Sequence, residues 1–194
     1  MKVAFFDFDG TITKHDTFIK FAKFSLGKKS FYSAIVKNSL HLAMWKLGLL
    51  SNSKAKQRLF STLYKGKEYE WFKASGIKFK EIIDSDLRPD VINKIRQHKA
   101  DGHAVVIVSA SIPEWIYPWA SANGVDAVIG TEIEIDNLGI ITGEFLSPNC
   151  YGEEKVNRIR AMYPDVDDCE SWGYGDSAGD RQMLGMVNHA ILME

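Results

Sequence analysis

Two aspartates, Asp7 and Asp9, stand two residues apart at the end of an apolar run in the stretch VAFFDFDGTIT. In extended backbone, residues i and i+2 point to the same side, so both carboxylates can face one site. Gly10 then lets the chain turn where a side chain would obstruct. Two more acids, Asp176 and Asp180, follow the strand-like SWGYG. Four carboxylates gathered together repel unless a cation lies among them, and a hard ion with oxygen ligands, Mg²⁺ foremost, meets that need. An ion that keeps several waters and binds through one or two carboxylates suits phosphoryl chemistry. There a carboxylate can attack phosphorus and divide one difficult step into two. A neighbouring acid can protonate the leaving oxygen and later deprotonate the attacking water. The phosphoryl oxygens need donors: the Ser109 hydroxyl, the backbone N–H groups near it, and the Lys155 ammonium. The run SIPE, with Ser111 three residues before Glu114, has the form of a capping box at a helix start that favours a bound anion.

The elements that must position these groups can be read from periodicity. Val3 to Phe6 reads as a buried central strand ended by acids and glycine. From about Asp16 to Asp86 the pattern is helical, in roughly four elements punctuated by Gly27, Gly48 and Gly66. After Pro89, strands and helices alternate. DVINKIRQHKADG is a helix, AVVIVS a strand, and PEWIYPWASANG a helix that Pro118 bends or shortens. AVIGTEIEI and GIITGEFL flank a turn at Asp136–Gly139; GEEKVNRIRAMYP is a helix; SWGYGD and HAILME are the last strands, with DRQMLGMV a short helix between them. Alternation of this kind predicts an α/β fold, a Rossmann-like parallel sheet covered by helices on both faces. An all-helical cap is inserted at 13–87, and the core comprises 1–12 and 88–194. In open parallel sheets ligands sit beyond the carboxyl ends of the strands, where Asp7, Asp9, Ser109 and Asp176 fall.

Bulk composition constrains the class. The 194 residues are 45% hydrophobic and 25% charged, the mix of a globular protein with a sizeable core. Two cysteines, Cys150 and Cys169, do not make a disulfide framework. Asp7 and Asp9 interrupt the first apolar run too early for a signal peptide, so a cytoplasmic location is expected. The net charge of −1 conceals an asymmetry: residues 13–87 hold 15 Lys and Arg against 6 Asp and Glu, a local charge of +9, and the rest holds −10. A basic module on an acidic one predicts electrostatic latching or steering of an anionic substrate.

The motifs DFDGT, VSAS, GEEK and GYGDSAGD, in this order, resemble those of the haloacid dehalogenase superfamily of phosphohydrolases. A helical insertion between the first two is similar to its phosphoserine-phosphatase-like branch, subfamily IB. The resemblance spans the whole chain. It implies Asp7 as nucleophile and Asp9 as general acid and base, with the Asp9 carbonyl, Asp7 and Asp176 on Mg²⁺. It also implies Ser109, Ala110 and Gly10 around the phosphoryl group, Lys155 neutralising charge, and Asp180 acting from behind, through water or by holding Lys155. Thr11 supports the turn. Relatives usually continue with a short segment beyond the last strand, whereas this chain stops at Glu194, so the resemblance leaves that sheet edge open.

For substrate, the resemblance implies a small phosphorylated metabolite such as a phospho-amino acid. Asp16 stands where phosphoserine phosphatases carry an ammonium-reading glutamate, and it also suits an N-cap for a helix starting at Thr17. Arg58, in a basic run with Lys54 and Lys56, falls where those enzymes place a carboxylate-reading arginine; such a run also reads as a solvated face. The alternative is a lipid phosphate: CYGEEKV and the apolar stretch Phe31–Leu50 resemble bacterial phosphatidylglycerophosphate phosphatases of the superfamily. That stretch is interrupted by Lys37, Asn38, His41 and Lys46, which makes it an amphipathic helix before it is a membrane-surface one. A phosphotransferase or mutase uses the same chemistry. A phospho-accepting receiver module would place its acidic pair adjacently, without a helical insertion. Nucleic acid is not an expected partner.

Overall fold

The computed structural model describes residues 2–193, so the chain end at Glu194 lies outside the described residues. β1 (Lys2–Phe6) is the middle strand of a five-stranded parallel sheet ordered β3-β2-β1-β6-β7. Its neighbours are β2 (Ala104–Val108) and β6 (Glu170–Gly175), with β3 (Ala127–Ile129) and β7 (His189–Leu192) at the edges. Val3 through Phe6 are wholly buried, as a strand covered on both faces must be. Alternate residues serve opposite layers. Ala4 and Phe6 pack into the core beneath α6 (Pro89–Ala100) and α7 (Pro113–Ala122). Val3 and Phe5 pack into the core under α8 (Glu153–Met162) and α9 (Arg181–Met186). The sequence-based expectation of a parallel α/β sheet with two covered faces holds.

Between β1 and α6 lie five helices, where periodicity suggested about four: α1 (Thr17–Leu26), α2 (Lys28–Lys37), α3 (Ser39–Lys46), α4 (Asn52–Tyr64) and α5 (Tyr69–Asp84). The continuous pattern across Phe31–Leu47 breaks at Asn38. Its side chain is buried and donates to the Ala34 carbonyl and the Thr62 hydroxyl, ending α2 and pinning it to α4. An aromatic cluster joins the helices to the core: Phe21 stacks on Trp115 at 4.7 Å and meets Phe72 and Phe79 edge-on. α5 runs against α7 so closely that a side chain at Gly76 would overlap the Glu114 carbonyl.

The expected strand AVIGTEIEI is in fact two. β3 belongs to the main sheet, and β4 (Ile133–Ile135) forms a separate antiparallel hairpin with β5 (Ile141–Phe145). The break falls at Gly130–Thr131. Gly130 lies against the Ser111 carbonyl and Pro113, and the Thr131 hydroxyl donates to the Ala110 carbonyl. The strand thus ends because its next two residues brace the loop after β2. The Asp136–Gly139 turn is as expected, with the Asp136 carboxylate accepting from the Leu138 and Ile140 N–H groups. Backbone bonds from Gly66 and Tyr69 to the hairpin tie the helical segment to it. α7 continues through Pro118 without stopping.

Candidate active site

The carboxyl end of β1 is the floor of the site. Asp7, whose N–H still bonds the Tyr174 carbonyl of β6, is buried. The Lys155 side chain, 1% exposed, rises from the first turn of α8 between two carboxylates. Its Nζ donates to Asp7 Oδ1 and Asp180 Oδ1, each at 2.6 Å, and to the Val108 carbonyl at 2.7 Å. All three ammonium protons are thereby used, which lets a lysine remain charged without water. Burial works against that charge, but Asp7 and Asp180 outweigh it and hold the ammonium above the ordinary lysine range. Asp180 is itself fixed, its second oxygen accepting from the Ser177 N–H and hydroxyl at 3.0 and 2.7 Å. With both oxygens engaged, Asp180 orients Lys155.

Asp9 turns the other way. Its Oδ1 accepts from the Thr17 N–H and hydroxyl at 2.6 and 2.5 Å, and its Oδ2 from the Ser111 hydroxyl at 2.5 Å. Thr17 in turn receives the Trp115 indole N–H at 3.1 Å. This corrects the capping-box reading of SIPE. α7 begins at Pro113, its N-cap Ile112 has no side-chain cap, Ser111 serves Asp9, and Glu114 accepts from the Tyr69 hydroxyl. Thr17 and Ser111 were missed in the sequence because each also fits a helix-start pattern. Ser109 is buried beside Asp7 and Asp9 in the cavity wall, its Oγ accepting from the Ser111 N–H at 3.0 Å.

Asp7, Asp176 and Asp180 each bring a carboxylate oxygen within 4.8 Å of the others. Thr11 sits on this group, donating to Asp176 Oδ1 at 3.3 Å. Gly10, at φ +88°, lies so close to Asp176 that a Cβ would overlap its carboxylate. Hard oxygen donors with no histidine or thiolate among them fit Mg²⁺ and not a soft metal. The protonation states agree. Burial pushes Asp7 up to about 7; Lys155 opposes this, while Asp180 and Asp9 add to it. Burial, then Asp180, raises Asp176. A divalent cation would relieve both. Gly10→Ala is expected to cost about 1–2 kcal/mol from its left-handed backbone alone. It should also reduce the rise in melting temperature produced by Mg²⁺, measured by thermal denaturation with and without the ion.

From about 3.8, the ordinary value for Asp7, up to about 7, the folded chain retains a proton that the unfolded chain has released. The folded state therefore binds more protons, and the Asp7 contribution to stability falls as pH rises through that window. Denaturation midpoints measured in EDTA between pH 4 and 7 should show this decline relative to Asp7→Asn, and Mg²⁺ should flatten it.

Above these groups lies a cavity of about 470 Å³. Asp7, Asp9, Ser109, Ala110 and Lys155 form its base, while Phe18, Phe31, Ile35, Leu42, Trp45 and Leu59 supply apolar wall. Asp16 caps α1, accepting from the Ile19 N–H at 3.0 Å, and lines the cavity as well. Arg58 does not line it and is exposed; Lys56, two residues earlier, reaches in. Lys56 Nζ donates to the Ala110 carbonyl at 2.8 Å and lies 5.7 Å from the Phe18 ring centre. Burial lowers its pKa against the pull of Asp9, Asp16 and Asp7. Its spacing, three, four and seven residues before the buried Leu59, Phe60 and Leu63, was the available signal in the sequence.

A parallel sheet with an acid-and-lysine cluster at its carboxyl edge, roofed by helices inserted after β1, defines a class of hydrolase. The family model for haloacid dehalogenase-like hydrolases matches residues 4–185, and the chain belongs to that family. Protein CicA of Caulobacter vibrioides is 32% identical over 185 residues, 94% of this chain and 82% of CicA. A Bordetella pertussis Tohama I protein of unknown function superposes with a TM-score of 0.86 at 24% identity, covering 98% of this chain and 89% of that one. A substrate-bound phosphoserine phosphatase complex gives 0.68 at 18% identity, covering 98% and 85%. These two share the fold.

Proposed function

We propose that the protein is a Mg²⁺-dependent phosphomonoester hydrolase that works through an aspartyl-phosphate on Asp7. The observation that carries this is the Lys155 ammonium clamped between Asp7 and Asp180 directly beneath the cavity. It holds Asp7 in one orientation with Oδ1 neutralised, leaving Oδ2 to attack. Likeness in fold to phosphoserine phosphatase supports the reading. Asp7, Asp176 and the Asp9 carbonyl would hold the ion, which when bound neutralises charge on the phosphoryl oxygens.

In the first step Asp7 Oδ2 bonds to phosphorus, the bond from phosphorus to the leaving oxygen breaks, and Asp9 gives that oxygen its proton. In the second, Asp9 takes a proton from water, whose oxygen attacks the aspartyl-phosphate, releasing phosphate and restoring Asp7. Ser111 suits both states of Asp9. A hydroxyl donates to the carboxylate and accepts from the acid, whereas the Thr17 N–H can only donate, so the acid proton belongs on Oδ2. Ser109 and the Ala110 N–H receive phosphoryl oxygens. Residues 13–87 act as the cap that excludes water and selects the leaving group, over a core of 1–12 and 88–194.

The cavity suits a small phosphorylated metabolite in size. Asp16 and Lys56 give it one acid and one base, as a phospho-amino acid would need. The apolar side chains of its wall favour the second reading, a leaving group carrying hydrocarbon, as in a lipid phosphate. A screen of phosphomonoesters with Mg²⁺, run beside Asp7→Asn and including phosphoserine, a short-chain lipid phosphate and an aryl phosphate, tests both. Hydrolysis of none of them by the wild type overturns the catalytic reading.

A further inference from the structure

We propose that the outer face of α2 and α3 is a docking surface for an anionic lipid bilayer. α3 is a helix of Leu40, Leu42, Met44 and Trp45 in which no residue is buried. Outward lie Val36 at 73% exposure, Leu40 at 69%, Leu47 at 73% and Leu49 at 71%, with Tyr32 beside them. Large apolar side chains exposed together on adjoining helices mark a contact surface.

Charge identifies the occupant. Residues 17–67 hold 11 Lys and Arg and not one Asp or Glu. Lys28, Lys29, Lys37 and Lys46, on or beside these helices, are exposed. A second copy of the same face would bring like charges together, and an apolar protein partner would leave the lysines without counterions. A bilayer bearing anionic headgroups satisfies both features, apolar side chains entering the acyl boundary and lysines the headgroup layer. Among the described residues no helix is long and apolar enough to cross a membrane, so the contact lies along the surface.

The inner faces of the same two helices supply Phe31, Ile35, Leu42 and Trp45 to the cavity above Asp7. One helical pair thus separates the lipid surface from the site. A phosphomonoester with an acyl chain could pass between them without crossing water. This last point rests on the proposed hydrolase activity; the docking surface does not.

Vesicle flotation separates the outcomes. The full chain, as wild type and as Asp7→Asn, is floated with vesicles of phosphatidylcholine alone and of phosphatidylcholine mixed with phosphatidylglycerol. Both forms should float with the anionic vesicles at low salt and be released by high salt. Leu40→Asp with Leu47→Asp should lower partition by about tenfold or more for each leucine. These two residues are exposed and lie outside the cavity lining, so an unchanged melting temperature verifies the fold. Lys37→Glu with Lys46→Glu should lower partition by about fivefold for each lysine removed. The proposal is overturned by absence of flotation with anionic vesicles at low salt, or by flotation indifferent to the leucine changes. It is equally overturned if sedimentation shows a dimer that those changes dissolve, since the face then belongs to a second copy.

Discussion

Asp7→Asn is expected to lower kcat for any phosphomonoester the protein hydrolyses by about 10⁴-fold or more, the scale seen when a nucleophile is removed from a working constellation. The chain should still fold, and this makes the result interpretable. Asp7 is buried among Asp9 and Asp180, and burial pushes it up to about 7. An uncharged amide of the same shape removes that repulsion, and Lys155 keeps Asp180 and the Val108 carbonyl as acceptors. Without divalent ion the variant should therefore melt no lower than the wild type above pH 7. With Mg²⁺ the order should reverse, because the wild type gains a bound ion and the amide is a poorer ligand. Rapid-quench capture of phosphate on the wild-type chain and not on the variant would complete the test. A variant within tenfold of wild type would mean that another group attacks phosphorus.

Much of this site could be read from the sequence because its acids end strands or begin helices, where local pattern and chemistry coincide. Asp7 and Asp9 stop a strand that is otherwise apolar, and Asp176 follows β6 in the same way. The parallel sheet was legible for the same reason, since its strands are short apolar runs between amphipathic helices. What escaped depended on contacts distant in sequence. Ser111 looked like a cap for its own helix and serves Asp9, 102 positions away. Thr17 and Trp115, 98 apart, form the chain of hydrogen bonds behind Asp9. Among three basic residues within α4, only the helix's rotation on its neighbours brings Lys56 and not Arg58 into the cavity. The split at Asn38 was hidden because helical periodicity continues across it; a buried amide bonding to α4 ends α2.

Lys155→Met is expected to be the most destabilising single change at the site, by about 3–5 kcal/mol, because it leaves buried carboxylates without their cation. Methionine fits the volume and carries no charge. Asp7 and Asp180 then face each other with the Val108 carbonyl, none with a donor from this position. Protonation offers one escape: Asp7 is raised by burial and by Asp180 even with Lys155 opposing, and without the lysine it must rise further. The variant should therefore recover stability as pH falls from about 9 to 7, a range above the wild-type Asp7 value of about 7 in which the wild type changes less. Mg²⁺ offers the other, so the ion should raise the variant's melting temperature more than the wild type's. Both rescues distinguish loss of charge compensation from loss of packing, which neither pH nor Mg²⁺ would repair. Activity should fall by about 10²–10³-fold even where the protein is folded, since a fixed positive charge at the phosphoryl group is gone. Urea denaturation across pH, with EDTA and with Mg²⁺, measures the stability terms. A loss below about 1 kcal/mol, unresponsive to either rescue, would place Lys155 outside the electrostatic balance of the site and leave Asp7 without the group that holds it ready to attack.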